Sequence, residues 1–201
     1  MTNEKLVEIV CVIDNSGSMQ TIRDDAIGNF NAFLKEQQEL ETDIDAKFTM
    51  ILFNTDYTVI HDGKPIKDVP TLNNETYRTM GCTALYDAVG KAIDTVGARL
   101  SGMAEKDRPS KVIVSILTDG QENSSREYNN AQIKDMIHRQ ENLCNWEFFY
   151  LSAGPDAFND ALQMGISSQN TMSFDASQGT RSAYASMSTS YCSSRTPGRK
   201  P

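Results

Sequence analysis

The chain reads as a doubly wound α/β domain: a mostly parallel six-stranded sheet with one antiparallel edge strand and helices on both faces. Two observations predict it. Four apolar runs, Leu6 to Ile13, Phe48 to Phe53, Val112 to Leu117 and Trp146 to Leu151, are too short for core helices and rich in Val, Ile and Phe. Three of them are almost continuously apolar, as strands buried on both faces are. The segments between them carry helical period, and strands alternating with helices imply parallel crossovers.

Taken in order, the first run is followed by Ile22, Ala26, Phe30, Phe33 and Leu34, which share one helix face. Tyr57 to His61 reads as the antiparallel edge strand, because Asn54-Thr55-Asp56 makes a tight turn after the second run. A longer stripe follows in Leu85, Ala88, Val89, Ala92, Ile93, Val96 and Leu100. A third helix is expected over Glu127 to Gln140, with Ile133, Met136 and Ile137 inward. A short one is expected near Asp156 to Met164, a last strand over Thr171 to Phe174, and a C-terminal helix over Ala176 to Tyr191. The domain thus spans 1–192. Residues 193–201 hold two prolines and lack apolar anchors, so a disordered, slightly basic tail is expected there.

The 201 residues suffice for one large domain with a sizeable core. A net charge of −8, from 27 acids and 19 bases, argues against a nucleic-acid binder, which needs a concentrated basic face. No stretch approaches the roughly 18 uninterrupted apolar residues of a membrane-spanning helix. Met1 to Lys5 runs straight into the first strand, with no apolar signal region and cleavage site, so a cytoplasmic location is expected. Cys11, Cys82, Cys144 and Cys192 form no Cys-x-x-Cys pair and read as free thiols.

In such a sheet, ligands bind beyond the carboxyl ends of the strands. Three polar segments fall there: Asp14-Asn15-Ser16-Gly17-Ser18-Met19 after the first strand, Met80-Gly81-Cys82-Thr83 before the long helix, and Leu117-Thr118-Asp119-Gly120 closing the third buried strand. Together they offer two carboxylates and three hydroxyls, all oxygen donors, which is the set a hard cation such as Mg²⁺ takes. Ser16 and Ser18 stand two apart in a turn, so both hydroxyls can point one way, with Gly17 folding the backbone between them. Each element also has a plainer reading. Asp-x-Ser-x-Ser and Thr83 suit helix N-caps, and Asp119-Gly120 suits a turn.

Asp14-x-Ser16-x-Ser18, then Thr83, then Asp119-Gly120 resembles the metal-ion-dependent adhesion site of von Willebrand factor A domains, whose fold is Rossmann-like. The resemblance runs from about Lys5 to Tyr191. It is carried further by Thr79-Met80-Gly81-Cys82-Thr83-Ala84-Leu85-Tyr86-Asp87-Ala88 and Thr118-Asp119-Gly120-Gln121-Glu122-Asn123, which are similar to stand-alone bacterial or phage members. It implies that Ser16 and Ser18 bind Mg²⁺ or Mn²⁺ directly, and Thr83 directly or through water. Asp14 and Asp119 would act largely through water and bonds to the serines. A partner protein would supply an Asp or Glu as the last ligand. The resemblance further implies switching, with Thr83 moving toward the metal and the C-terminal helix shifting. Neither the partner nor the oligomeric state follows from the sequence.

Two other classes compete with this binding module. A Mg²⁺-dependent phosphatase or phosphotransferase would use Asp14 as nucleophile, but Ser16 stands where such enzymes carry a second acid, and Leu151-Ser152-Ala153-Gly154 offers no lysine. A serine hydrolase needs Gly-x-Ser-x-Gly, and a nucleotide site Gly-x-x-x-x-Gly-Lys; neither occurs. A metal-free structural scaffold is the remaining alternative. His61 and His138 are read as surface histidines, and Glu122, Asn123 and Arg126 as flanking residues that either tune a partner's approach or merely shape the loop.

Overall fold

The computed structural model describes residues 1–153, 156–174 and, beyond them, Tyr184, Ala185, Ser188, Thr189, Tyr191, Cys192 and Arg195. Its single sheet has six strands in the order β3-β2-β1-β4-β5-β6. These are β1 (Asn3–Asp14), β2 (Asp45–Phe53), β3 (Tyr57–Pro65), β4 (Pro109–Thr118), β5 (Trp146–Ser152) and β6 (Thr171–Ser173). All neighbours pair in parallel except β2 with β3. The helices are α1 (Arg23–Glu39), α2 (Leu85–Ser101), α3 (Asn130–Cys144) and α4 (Ala157–Gln163).

Alternation along β1 assigns the two faces. Val7, Ile9, Cys11 and Ile13 join Phe30, Phe33 and Leu34 of α1, with Tyr184 and Tyr191, in one core. Val10 and Val12 join the α2 stripe, Ile133 and Ile137 of α3, and Ala157 and Ala161 of α4 in the other. All seven expected α2 residues are buried. Burial of each larger side chain among them contributes about 1.5–3 kcal/mol. The doubly wound architecture is the one read from the sequence.

Several boundaries differ, for local reasons. β1 starts at Asn3, because the Asn3 amide bonds the Arg108 carbonyl at 2.8 Å and carries the polar Glu4 and Lys5 into the strand. α3 begins at Asn130 rather than Glu127. Asn129 and Gln132 close a capping box there, while the amides of Arg126, Glu127 and Tyr128 are all taken by the Asp87 carboxylate. β3 runs on to Pro65 through Gly63, whose φ of +62° lets Arg99 lie against it where a Cβ would meet Nη1 at 2.8 Å.

Of the expected helix from Ala176 to Tyr191, the described residues Tyr184, Ala185, Ser188, Thr189 and Tyr191 are helical; the rest lies outside the described residues. Arg195, within the stretch expected as a tail, is buried, and its Nη1 donates to the Gln37 carbonyl at 2.7 Å. The other residues of that stretch also lie outside the described residues. No helix among the described residues is long and apolar enough to cross a membrane.

Candidate metal centre

β1 and β4 are neighbours in the middle of the sheet, so their carboxyl-end loops meet by necessity. The ladder pairs Ile13 with Leu117, which sets Asp14 beside Thr118 and Asp119. Asp14 is fully buried. Its Oδ1 accepts the Ser16 amide at 2.6 Å and its Oδ2 accepts the Thr118 hydroxyl at 2.6 Å. The Ser16 and Ser18 hydroxyls point the same way, 3.1 Å apart, and Ser18 Oγ donates to Asp119 Oδ1 at 2.7 Å.

Thr83 arrives from the third segment. It is buried, yet α2 is capped by Ala84 without any side-chain bond, so the Thr83 hydroxyl is not the N-cap its position suggests. That hydroxyl faces Gly120 instead: a Cβ built on Gly120 would lie 3.7 Å from Thr83 Oγ1 and 3.6 Å from Ser18 Oγ. The three loops therefore converge on one small space, with Ser16, Ser18 and Thr83 presenting hydroxyls and Asp14 and Asp119 presenting carboxylates. All five sequence-selected residues are brought together.

The electrostatics are lopsided. Burial pushes the Asp14 carboxyl up to about 6, against the bonds from Thr118 and Ser16 and helped by the neighbouring Asp119 charge. Burial raises Asp119 too, opposed by its bond from Ser18. Among the described residues no lysine, arginine or histidine acts on either acid. A donor set of hydroxyls and carboxylates that lacks a counter-charge suits a hard divalent cation. Among the described residues no group of three or more His, Cys, Asp or Glu is gathered for a metal, in keeping with a site built half from hydroxyls.

Three residues support the site in ways the sequence does not announce. In the sequence Thr118 is only the flank of Asp119, yet it bridges the two halves of the site: its hydroxyl binds Asp14 and also accepts the Gly120 amide at 3.2 Å. Tyr77 is fully buried and donates to the Asp14 carbonyl. Its only signal was an aromatic residue alone in a polar stretch. Asp87 is the third, the acceptor that organises the loop before α3.

Gly17 does not have the expected role. Its backbone is not left-handed, and the loop is held instead by its amide bonding the Gly81 carbonyl at 3.1 Å. Gly81 is the demanding glycine, with φ at +73° and a Cβ position 2.8 Å from Thr55 Oγ1.

Glu122 and Asn123 shape the loop. Glu122 accepts the Tyr86, Ser124 and Ser125 amides, and Asn123 exchanges two bonds with the Thr83 backbone at 2.9 and 3.0 Å. His138 is exposed on α3 and His61 half-buried on β3, neither at the centre.

A family model for the von Willebrand factor type A domain matches residues 8–185. No curated protein matches the chain. Among solved structures, proximal thread matrix protein 1 from the mussel byssus, with a zinc-occupied MIDAS motif, superposes with a TM-score of 0.63 at 15% identity, covering 92% of this chain and 46% of that one. The von Willebrand domain of the type V pilus tip protein Mfa5 from Porphyromonas gingivalis gives 0.65 at 9% identity, covering 97% and 98%. The pilus adhesin SpaC from Lactobacillus rhamnosus GG gives 0.66 at 13%, covering 95% and 30%. The chain thus spans about half the length of the mussel protein. At these identities the likeness shows the fold, and the family match over most of the sequence decides membership: the chain belongs to the von Willebrand factor type A domain family.

Proposed function

We propose that the domain is a metal-dependent protein-binding module that holds one divalent cation, Mg²⁺ or Mn²⁺, and offers it to an Asp or Glu of a partner protein. The observation that carries this reading is a pair of acids, Asp14 fully buried and Asp119 half-buried, that no described cation compensates, beside three converging hydroxyls. Ser16, Ser18 and Thr83 would hold the ion, with Asp14 and Asp119 balancing its charge and orienting the serines. Bound there, the ion supplies an electrophilic position that a carboxylate from outside completes. The structural neighbours support the reading: the mussel protein has a zinc-occupied MIDAS motif, and SpaC and Mfa5 are pilus proteins.

The phosphatase alternative fits the geometry less well. An attacking carboxylate needs a free oxygen, and both oxygens of Asp14 are engaged inside the protein. We therefore read the domain as non-enzymatic. Turnover of para-nitrophenyl phosphate that vanished with Asp14→Asn would overturn that part.

The experiment for the binding function is selection from a random peptide display library on the Mn²⁺-loaded domain and on the chelated domain. Acidic peptides retained only with Mn²⁺, and released by Asp119→Ala, are the expected result. Equal retention in chelator would refute the metal-dependent mode.

A further inference from the structure

The segment between Leu72 and Thr83 has little regular structure, yet it is laced to the Asp14–Ser18 loop along its length. The Tyr77 hydroxyl donates to the Asp14 carbonyl. Asn15 Nδ2 donates to the Arg78 carbonyl at 2.8 Å, and the Met80 amide donates to the Asn15 carbonyl at 2.9 Å. The Gly17 amide donates to the Gly81 carbonyl, and Thr79 Oγ1 bonds Gln20 Oε1. At its start, Asn31 of α1 holds Leu72 by both backbone groups, at 2.7 and 2.9 Å. At its end, Thr83 is held by Asn123.

We propose that Tyr77, with the strap it anchors, is the positioning residue of the metal centre. Four consecutive residues of the ligand loop depend on this arrangement. The Asp14 carbonyl is fixed by Tyr77, which orients the peptide leading to Asn15. Asn15 is fixed by Met80 and Arg78. The Ser16 amide then reaches the Asp14 carboxylate, and Gly17 is fixed by Gly81. Because the strap ends in Thr83, the same lacing ties the Thr83 hydroxyl to the two serines, so all three hydroxyls are set as one unit before a cation arrives. A loop whose donors are held in advance loses less freedom on binding, and outer-shell partners of this kind are worth about 10- to 100-fold in metal affinity. The complete burial of Tyr77 in an otherwise polar stretch gives the strap its anchor: the ring is held in the α1-side core and only its hydroxyl reaches the site.

This inference rests on the metal-binding reading, and the test separates the two. Mn²⁺ affinity is measured by the loss of the free-ion electron paramagnetic resonance signal for the wild type, Tyr77→Phe and Asn31→Ala, well below their melting temperatures. Amide exchange at Gly17 is followed in chelator. Tyr77→Phe is expected to bind Mn²⁺ about 10-fold more weakly and to exchange Gly17 faster without metal. Asn31→Ala, which loosens the strap without touching the site, is expected to show a smaller loss in the same direction. Mn²⁺ binding at wild-type affinity by both folded variants would overturn the positioning role, whatever their melting temperatures. Should Tyr77→Phe not fold, unchanged affinity in Asn31→Ala overturns it. A wild type that binds no Mn²⁺ overturns the metal reading itself, and the inference with it.

Discussion

Glu8 and Asp14 lie on the same strand, β1, and both are fully buried, but they are treated in opposite ways. Glu8 is met by a cation: both terminal nitrogens of Arg99 bond its carboxylate, Thr49 donates to it at 2.7 Å, and Asp62 takes Arg99 Nε at 2.7 Å. Among the described residues Asp14 is met by neutral donors alone, the Ser16 amide and the Thr118 hydroxyl, with Asp119 as a second acid nearby. A buried carboxylate with its own counter-ion is part of the fold. One without it, at the mouth of three converging loops, has the character the proposed cation site requires. On the proposed reading, this difference along β1 separates an acid that serves the fold from one that serves the metal.

The comparison is broken most forcefully at Glu8. Arg99→Ala leaves a buried charge unpaired and should cost about 3 kcal/mol of stability, measured by urea unfolding, with Mn²⁺ affinity unchanged. Asp14→Asn should do the reverse. It removes an uncompensated charge, so the metal-free domain keeps or gains stability at neutral pH, while Mn²⁺ affinity falls by about 100-fold in calorimetric titration. If both variants simply destabilised the domain, the two acids would be equivalent and the contrast void. Thr118→Val, which withdraws one donor from Asp14, should weaken Mn²⁺ by about 10-fold in the same titration.

The smallest effect is in pH. Asp14 titrates higher in the folded state than in the unfolded one, so the folded, metal-free domain binds more protons across that interval. Its stability should therefore be greatest at the acid side and fall as pH rises from about 4, the ordinary carboxylate value, to about 6. Asp119 adds to the same trend. Mn²⁺ binding requires the deprotonated acids, so saturating Mn²⁺ should reverse the slope, which chemical unfolding in chelator and in Mn²⁺ would reveal.

The part of this picture that is legible in the sequence is the part governed by period and strand ends. Continuous apolar runs mark buried strands, and a polar residue directly after such a run, as Asp14 and Asp119 are, must sit at the sheet's rim. The α2 stripe is equally plain, since its seven apolar residues share one face. What escapes is set by contacts across the chain. Glu8 interrupts an apolar strand, and nothing nearby announces that Arg99 will reach it from 91 residues away. Tyr77 resembles an ordinary loop aromatic until the strap folds onto β1. The start of α3 is not legible because Glu127 and Tyr128 suit a helix by themselves, whereas the distant Asp87 holds their amides outside it. Thr83 suits an N-cap on local grounds, whereas Glu122 and Ser125 supply the first-turn bonds of α2 and leave its hydroxyl for the site.

The central claim, that Asp14 and its companions hold a divalent cation, is tested most directly by thermal denaturation of the wild type and Asp119→Ala across a Mn²⁺ titration begun in chelator. Binding to the folded state alone should stabilise the wild type by about 2.7 kcal/mol at a hundredfold excess over the dissociation constant, and Asp119→Ala should show no shift. A wild-type melting temperature indifferent to Mn²⁺ throughout, or an equal shift in Asp119→Ala, would contradict the account.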